Sequence, residues 1–345
     1  MHAEQVLDMQ VDFIERVTTD SVFTRYLTSI FEVAQGSFSR FQEIATDYDD
    51  DEILDQIRKP DEGLVMLTGL VSAVKAAYAY RVTPDMSTLV EWAASQLDET
   101  DKVDLTLPPT GCGIVRFDRP LPVHDVRGRT MKAHWLMWGP VKAYSTSPLG
   151  VKRGTLGIWL WNDHDDPDEV ALQMLNHSEY GVDVRRVAGR WGFVGCEIAN
   201  HGSGMGAPLI NVPAHVVAKI LADGDTPTPM TNAIRYAMAL WMLLNQTITD
   251  TSEEHVKTHH RKRALRKGVP GRVSVIQLRR IAGQHRRDGE SLVEWSHRWV
   301  VRGHWRWQAC GEGRTDRRRI WINPHVKGPE DRPLVQTEKV YNLSR

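Results

Sequence analysis

With 345 residues, 41% hydrophobic and 25% charged, the chain has the composition of a globular protein that can build its own core. Its three cysteines, Cys112, Cys196 and Cys310, stand far apart with no C-x-x-C pair, which suggests neither a disulfide framework nor a zinc site and fits a reducing cytoplasm best. A net charge of −1 hides a split: residues 256–345 hold 22 Lys and Arg against 8 Asp and Glu, which leaves 21 basic and 36 acidic residues in 1–255. A basic segment of this kind either meets a polyanion or folds back on the acidic remainder.

The first residues, MHAEQVLDMQVDFIERV, carry acids where an export signal needs an apolar run, so no signal peptide is expected. In the same stretch Val6, Met9, Phe13 and Val17 recur at spacings of three and four, which predicts a helix. Further helices are expected in SRFQEIATDYDDDEILDQIRK, in the nearly uniform apolar run Leu64 to Val82, and in DMSTLVEWAASQL after Pro84. The acid cluster from Asp47 to Glu52 lacks the central Gly of a calcium loop and is expected to be a helix entrance rather than a metal site.

LPPTGCG (Leu107 to Gly113) breaks the helical pattern, and the texture turns aromatic and β-branched. GIVRFDRPL, MKAHWLMWGPVKAY, GTLGIWLWND and RWGFVGCEIA predict strands of a mainly antiparallel sheet. The acidic loop NDHDDPDE, Asn162 to Glu169, reads as the start of a short helix over VALQMLNHSE, not as a metal centre. HGSGMGAP (His201 to Pro208) is glycine-rich but lacks the GK[ST] of a phosphate loop, and no cofactor is implied. VPAHVVAKILADG and NAIRYAMALWMLLNQT predict two more helices, the second buried and expected against Leu64 to Val82; its run AMALWMLL is too short to span a membrane.

From Thr251 the chain turns basic. HHRKRALRKG has little to bury and reads as an exposed linker or arm, with Arg261, Lys262, Arg263, Arg266 and Lys267 as candidate RNA contacts. VSVIQLRRI then predicts a strand. The segment Trp295 to Gly328 holds five Trp, seven Arg and three His. Alternation along one continuous strand puts Trp295, Trp299, Trp305 and Trp307 on an inward face, and Arg298, Arg302, His304 and Arg306 on an outward one. A turn at GEGRTD leads into RRRIWINPHV, where Ile320 and Ile322 are expected in the core and Arg319, Trp321 and His325 outside. The basic surface expected from this hairpin comprises Arg298, Arg302, His304, Arg306, Arg317, Arg319, His325 and Lys327. The same group supports a metal-free ribonuclease, with His304 moving protons and Arg302, Arg306 and Arg319 holding the phosphorane charge.

The order of these features resembles the anti-CRISPR family, found on phages and plasmids, that blocks production of the type V-A effector nuclease. The likeness lies in the acidic helical start, the junction LPPTGCGIVRF, the helix ALWMLLNQ, the polar HHRKRALRKG, and SHRWVVRGHWRWQ followed by RRRIWINP. Its most specific part is the R-G-H-W core (Arg302 to Trp305) with R-x-x-W-I-x-P (Arg318 to Pro324) after a glycine turn. This chain continues with HVKGPEDRPLVQTEKVYNL, an ending shared in style with uncharacterised actinobacterial and actinophage proteins. The resemblance implies recognition of a nascent host polypeptide and loss of the mRNA that encodes it; no peptide-contacting residue is matched position by position.

The expected architecture is α+β: an acidic helical region at 1–106, a central α+β region at 107–250, a basic linker at 251–272 and a small basic β-rich module at 273–345. The expected function is that of a phage or mobile-element protein that interferes with host defence or gene expression. Its partners would be RNA or the ribosome and a nascent polypeptide, with no membrane. The alternatives are a metal-independent ribonuclease or toxin acting on mRNA, and a structural protein whose basic tail is neutralised by its own acidic body. No oligomeric state follows from the sequence.

Overall fold

The computed structural model describes residues 3–20, 23–24, 27, 62–98, 100–124, 130–140, 156–163, 191–199, 201–203, 233–279, 299–301, 303–323 and 325–327. The expected helices over 39–59, 170–179 and 212–224, and most of the acidic loop 162–169, lie outside them. Two compact units divide the chain, Met1–Leu278 and Arg279–Arg345. The fold class is the α+β one expected.

In the first unit the described elements are helix α1 (Ala3–Thr19), helix α2 (Glu62–Ala76), strand β1 (Tyr78–Val82), helix α3 (Pro84–Ser95), strands β2 (Gly113–His124), β3 (Thr130–Pro140), β4 (Leu156–Asp163) and β5 (Trp191–Ala199), helix α4 (Ala233–Leu244), strand β6 (Thr249–Glu254), helix α5 (Thr258–Arg266) and strand β7 (Val273–Leu278). The seven strands form one sheet in the order β5-β4-β3-β2-β1-β7-β6. Strands β2 to β5 are successive antiparallel neighbours, as expected for these short aromatic and β-branched segments. Strand β1 runs parallel to both β2 and β7, and α3 supplies the crossover that a parallel β1–β2 pair requires.

Two sequence expectations change here. The run Leu64 to Val82 is not one helix: α2 stops at Ala76 and the chain becomes β1. A segment apolar on every side has no periodicity to distinguish a buried helix from a buried strand. The apolar helix α4 also lies on the other side of the sheet from α2. Successive residues of a strand face opposite ways. Gly139 of β3 faces Ala73 of α2, whereas Trp138 faces Trp241 of α4 with ring centroids 5.6 Å apart.

On the α2 side the core is aromatic. Phe13 of α1, fully buried, meets Phe23, Trp161 and Trp191 edge-on at 5.9, 5.4 and 5.1 Å. Such contacts add about 0.5–1.5 kcal/mol each to area burial. Gln10, also fully buried, donates from Nε2 to the carbonyls of Val74 and Ala77 at 2.8 and 3.0 Å. It thereby helps to close the end of α2, where the Val74 carbonyl also accepts the Ala77 N–H at 3.3 Å. On the α4 side, the Glu197 carboxylate accepts the Ile234 N–H at 2.6 Å, placing an anion on the first turn of α4 where the helix dipole favours it.

Residues 251–272, expected as a linker, are part of this sheet-based unit, and the unit's boundary falls after Leu278. Helix α5 ends in a Schellman turn: Gly268 at φ 75° donates to Leu265, and Val269 donates to Ala264. Ala264 and Val269, both buried, are the apolar contact that accompanies this motif. An arm with so few apolar residues is held by those two and by charge.

In the second unit, strand β8 (Trp299–Val301) pairs with β11 (His325–Lys327), and β9 (His304–Cys310) pairs with β10 (Asp316–Ile322), all antiparallel. The single strand expected from Trp295 to Trp307 is thus two, which take different partners on either side of residues 302–303. Gly303 is a position at which a strand is weakest. The β9–β10 turn uses Gly311 and Gly313 at φ 77° and 67°, with Arg314 at 57°. The left-handed φ of Gly311 is the reason for glycine there; an added Cβ would also displace the tip of the exposed Asp316 side chain.

Candidate nucleic-acid interface

The candidate contacts fall on two surfaces. The first is helix α5. Its inward cations are engaged by the acidic stripe of α1: Arg263 donates to Glu15 at 2.6 Å and lies 3.6 Å from Asp8, and Lys267 reaches Glu15 at 3.2 Å. His260 Nδ1 is 2.7 Å from Asp8, and Lys257 is 3.8 Å from Glu4. The Arg263 hydrogen bond is the main reason the Glu15 carboxyl is held below its ordinary pKa; burial opposes this and Lys267 adds to it. Arg261, Lys262 and Arg266 face outward and are exposed. The expected arm therefore divides, with Arg263 and Lys267 spent on the body and the other three presented to solvent.

The second surface is the β9–β10 hairpin. Register places Trp307 opposite Arg319, Trp305 opposite Trp321 and Ala309 opposite Arg317. Residues directly opposite in a ladder share a face. One face therefore carries Trp305, Trp307, Ala309, Arg317, Arg319 and Trp321, and the other carries His304, Arg306, Gln308, Arg318, Ile320 and Ile322. The Arg319 guanidinium stacks 5.7 Å from the Trp305 ring and 5.8 Å from the Trp307 ring. Trp321 is 3% exposed and Trp307 60% exposed, so cover is complete at one end of this face and absent towards the turn.

This geometry corrects the expected faces. Trp321, expected outside, is the buried residue; Ile320 and Ile322, expected in the core, are half-buried; and Trp307, expected inward, is exposed. Arg319 sits with the tryptophans, away from His304 and Arg306, because the turn length sets the register and the register sets the face. Of the four residues considered for catalysis, His304 and Arg306 share a face, Arg319 lies on the other, and Arg302 is outside the described residues. Arg298 is also outside them. His325 and Lys327 lie in β11 opposite Val301 and Trp299.

The sequence reading missed Trp307 as an accessible group. No signal in the strand itself separates it from Trp305, since both occupy the same alternation. Arg317 was placed on the basic surface but not beside Ala309, which needs the register.

In the first unit two arginines tie strands together. Arg81 bonds both oxygens of Asp118 and of Glu254, tying β1 to β2 and β6. Arg116 lies 3.7 Å from Asp163 and donates to the carbonyls of Phe117 and His134. Among the described residues no group of three His, Cys, Asp or Glu could hold a metal ion, and no helix is long and apolar enough to cross a membrane.

No family model matches the chain, and no curated protein matches it. Among solved structures it is similar to the crystal structure of AcrVA2, at 12% identity and a TM-score of 0.35, over 87% of this chain and 96% of that one.

Proposed function

We propose that this protein is of phage or mobile-element origin and interferes with host defence or gene expression by binding RNA through its basic C-terminal unit. The observation that carries the proposal is the β9–β10 hairpin. Between His304 and Ile322 the chain holds five Arg against Glu312 and Asp316, and Arg306, Arg317 and Arg318 are exposed. Guanidinium groups displayed in this way take phosphates without needing a folded pocket. The charge split between the two parts of the chain and the R-G-H-W and W-I-x-P resemblance to the anti-CRISPR family support the same reading. The ribosome and a nascent polypeptide are the partners that the resemblance adds to RNA.

A second reading, that the basic segment is neutralised by the protein's own acidic body, is favoured by the contacts of α5 with α1. Those contacts engage Lys257, His260, Arg263 and Lys267.

The test is titration of the intact protein with RNA over a range of salt. Each phosphate neutralised on a single strand adds about 0.7 to the magnitude of the log–log salt slope. Arg317→Glu with Arg318→Glu should weaken binding and flatten that slope. Salt-independent binding, or none, defeats the proposal. Recovery of the tagged protein from cells and sequencing of the RNA and peptides it carries then identifies the target.

A further inference from the structure

We infer that the Trp307 face of the β9–β10 hairpin is a stacking platform for an unpaired base, so that the polynucleotide bound is single-stranded. This rests on the RNA-binding reading and specifies its substrate class. Trp307 is one of four large hydrophobic side chains exposed among the described residues, and at 60% it is the most exposed of them. Exposure of a single aromatic is ordinary by itself; what sets Trp307 apart is the arrangement of the residues around it.

Three features of the face suit a base. Arg319, directly opposite in the ladder, holds its guanidinium 5.7 and 5.8 Å from the Trp305 and Trp307 ring centroids, so a cation already lies against this aromatic face. Ala309 is the next residue on this face towards the turn and contributes only a methyl group, so the sheet surface beside the ring is low there. Arg317, exposed and opposite Ala309, stands about 7 Å along the strand from the Trp307–Arg319 pair, by the two-residue strand rise. Successive phosphates of an extended strand are spaced on that scale. A base laid on Trp307 over Ala309 thus brings its phosphate to Arg317. Every base has a flat face, so the platform is tolerant of sequence. Bases inside a duplex are already stacked on each other and cannot use it.

The experiment measures binding of the full chain to a single-stranded homopolymer RNA, its DNA counterpart and a blunt RNA duplex. The variants are Trp307→Ala, Trp307→Phe and Arg317→Ala, each checked for an unchanged melting curve. Base–aromatic stacking is worth about 1–3 kcal/mol, so Trp307→Ala should weaken single-strand binding by about 5- to 150-fold at every salt concentration. Duplex affinity should hold, and Trp307→Phe should restore most of the loss. Arg317→Ala should instead reduce the salt slope by about 0.7. A preference for RNA over DNA would point to contacts with the 2′-hydroxyl, and equal affinity to stacking and phosphates alone; both keep the platform.

If the intact chain binds no nucleic acid, the RNA reading falls and this inference falls with it. If RNA binds with a salt slope but Trp307→Ala is silent, the platform alone is overturned. Equal loss on single strands and duplex overturns the single-strand assignment. Should Trp307→Ala fail to fold, Trp307→Phe and Arg317→Ala still decide, because near-native affinity in the first and a reduced slope in the second are required together.

Discussion

Replacing Arg263 by Ala separates an RNA-binding arm from a structural clamp. Its guanidinium donates to Glu15 at 2.6 Å and lies 3.6 Å from Asp8, with side-chain exposures of 42%, 30% and 33% for Arg263, Glu15 and Asp8. Pairs this exposed are screened and contribute about 0.2–1 kcal/mol each. Two of them, with the packing of the arginine stem, give about 1–2 kcal/mol for Arg263→Ala. Lys262→Ala, one residue away on the outward side, should stay within about 0.5 kcal/mol. A double-mutant cycle with Glu15→Ala should return about 0.5–1 kcal/mol of coupling.

The assay is chemical denaturation followed by circular dichroism at neutral and acid pH. Glu15 is held below its ordinary pKa of 4.5, so its contribution is fully present above that value and is lost as pH falls through the lowered folded value. Arg263→Ala removes the main cause of the shift, and the acid-induced loss should shrink in that variant. High salt should narrow the difference between wild type and variant. If Arg263→Ala and Lys262→Ala are equally neutral in stability and the coupling is zero, the clamp does not exist and α5 is the free arm that its sequence suggests.

Phe13→Ala should destabilise the first unit by about 3–5 kcal/mol, since a fully buried ring with three aromatic neighbours leaves a cavity that they cannot close; a urea midpoint shifted by less than a third of that would contradict the described core. Gly113→Ala should cost about 1–3 kcal/mol, because its Cβ would enter the Trp138 indole, whose Nε1 is tethered to the Thr110 carbonyl at 2.9 Å. Gly111→Ala, with nothing within 4 Å of the added methyl, should be close to neutral in the same thermal melts.

What the sequence determined by itself was local. The spacing of Val6, Met9 and Phe13 placed the buried stripe of α1, and Pro84 located α3, although the helix begins at the proline itself, with Thr83 as its N-cap, and not after it with Asp85 or Ser87 as cap. Strands β2 to β5 followed from their aromatic and β-branched content between Gly, Pro and Asp breakers, and each pairs with its neighbour in the chain. Where the pattern was uniform it could not place a boundary: Leu64 to Val82 is expected as one helix, which holds as far as Ala76, and only the placement of Tyr78–Val82 between β2 and β7 decides for a strand at its end. The basic run from His259 to Gly268 looked free because it holds almost nothing apolar; the acids that hold it, Asp8 and Glu15, are about 250 residues away in the chain. The hairpin shows the same division. Its richness in Trp and Arg was visible in the sequence, but which tryptophan is buried depends on pairing across a turn. Strand alternation fixes faces only relative to each other, and it took the register Trp307–Arg319 to put an arginine beside an exposed indole.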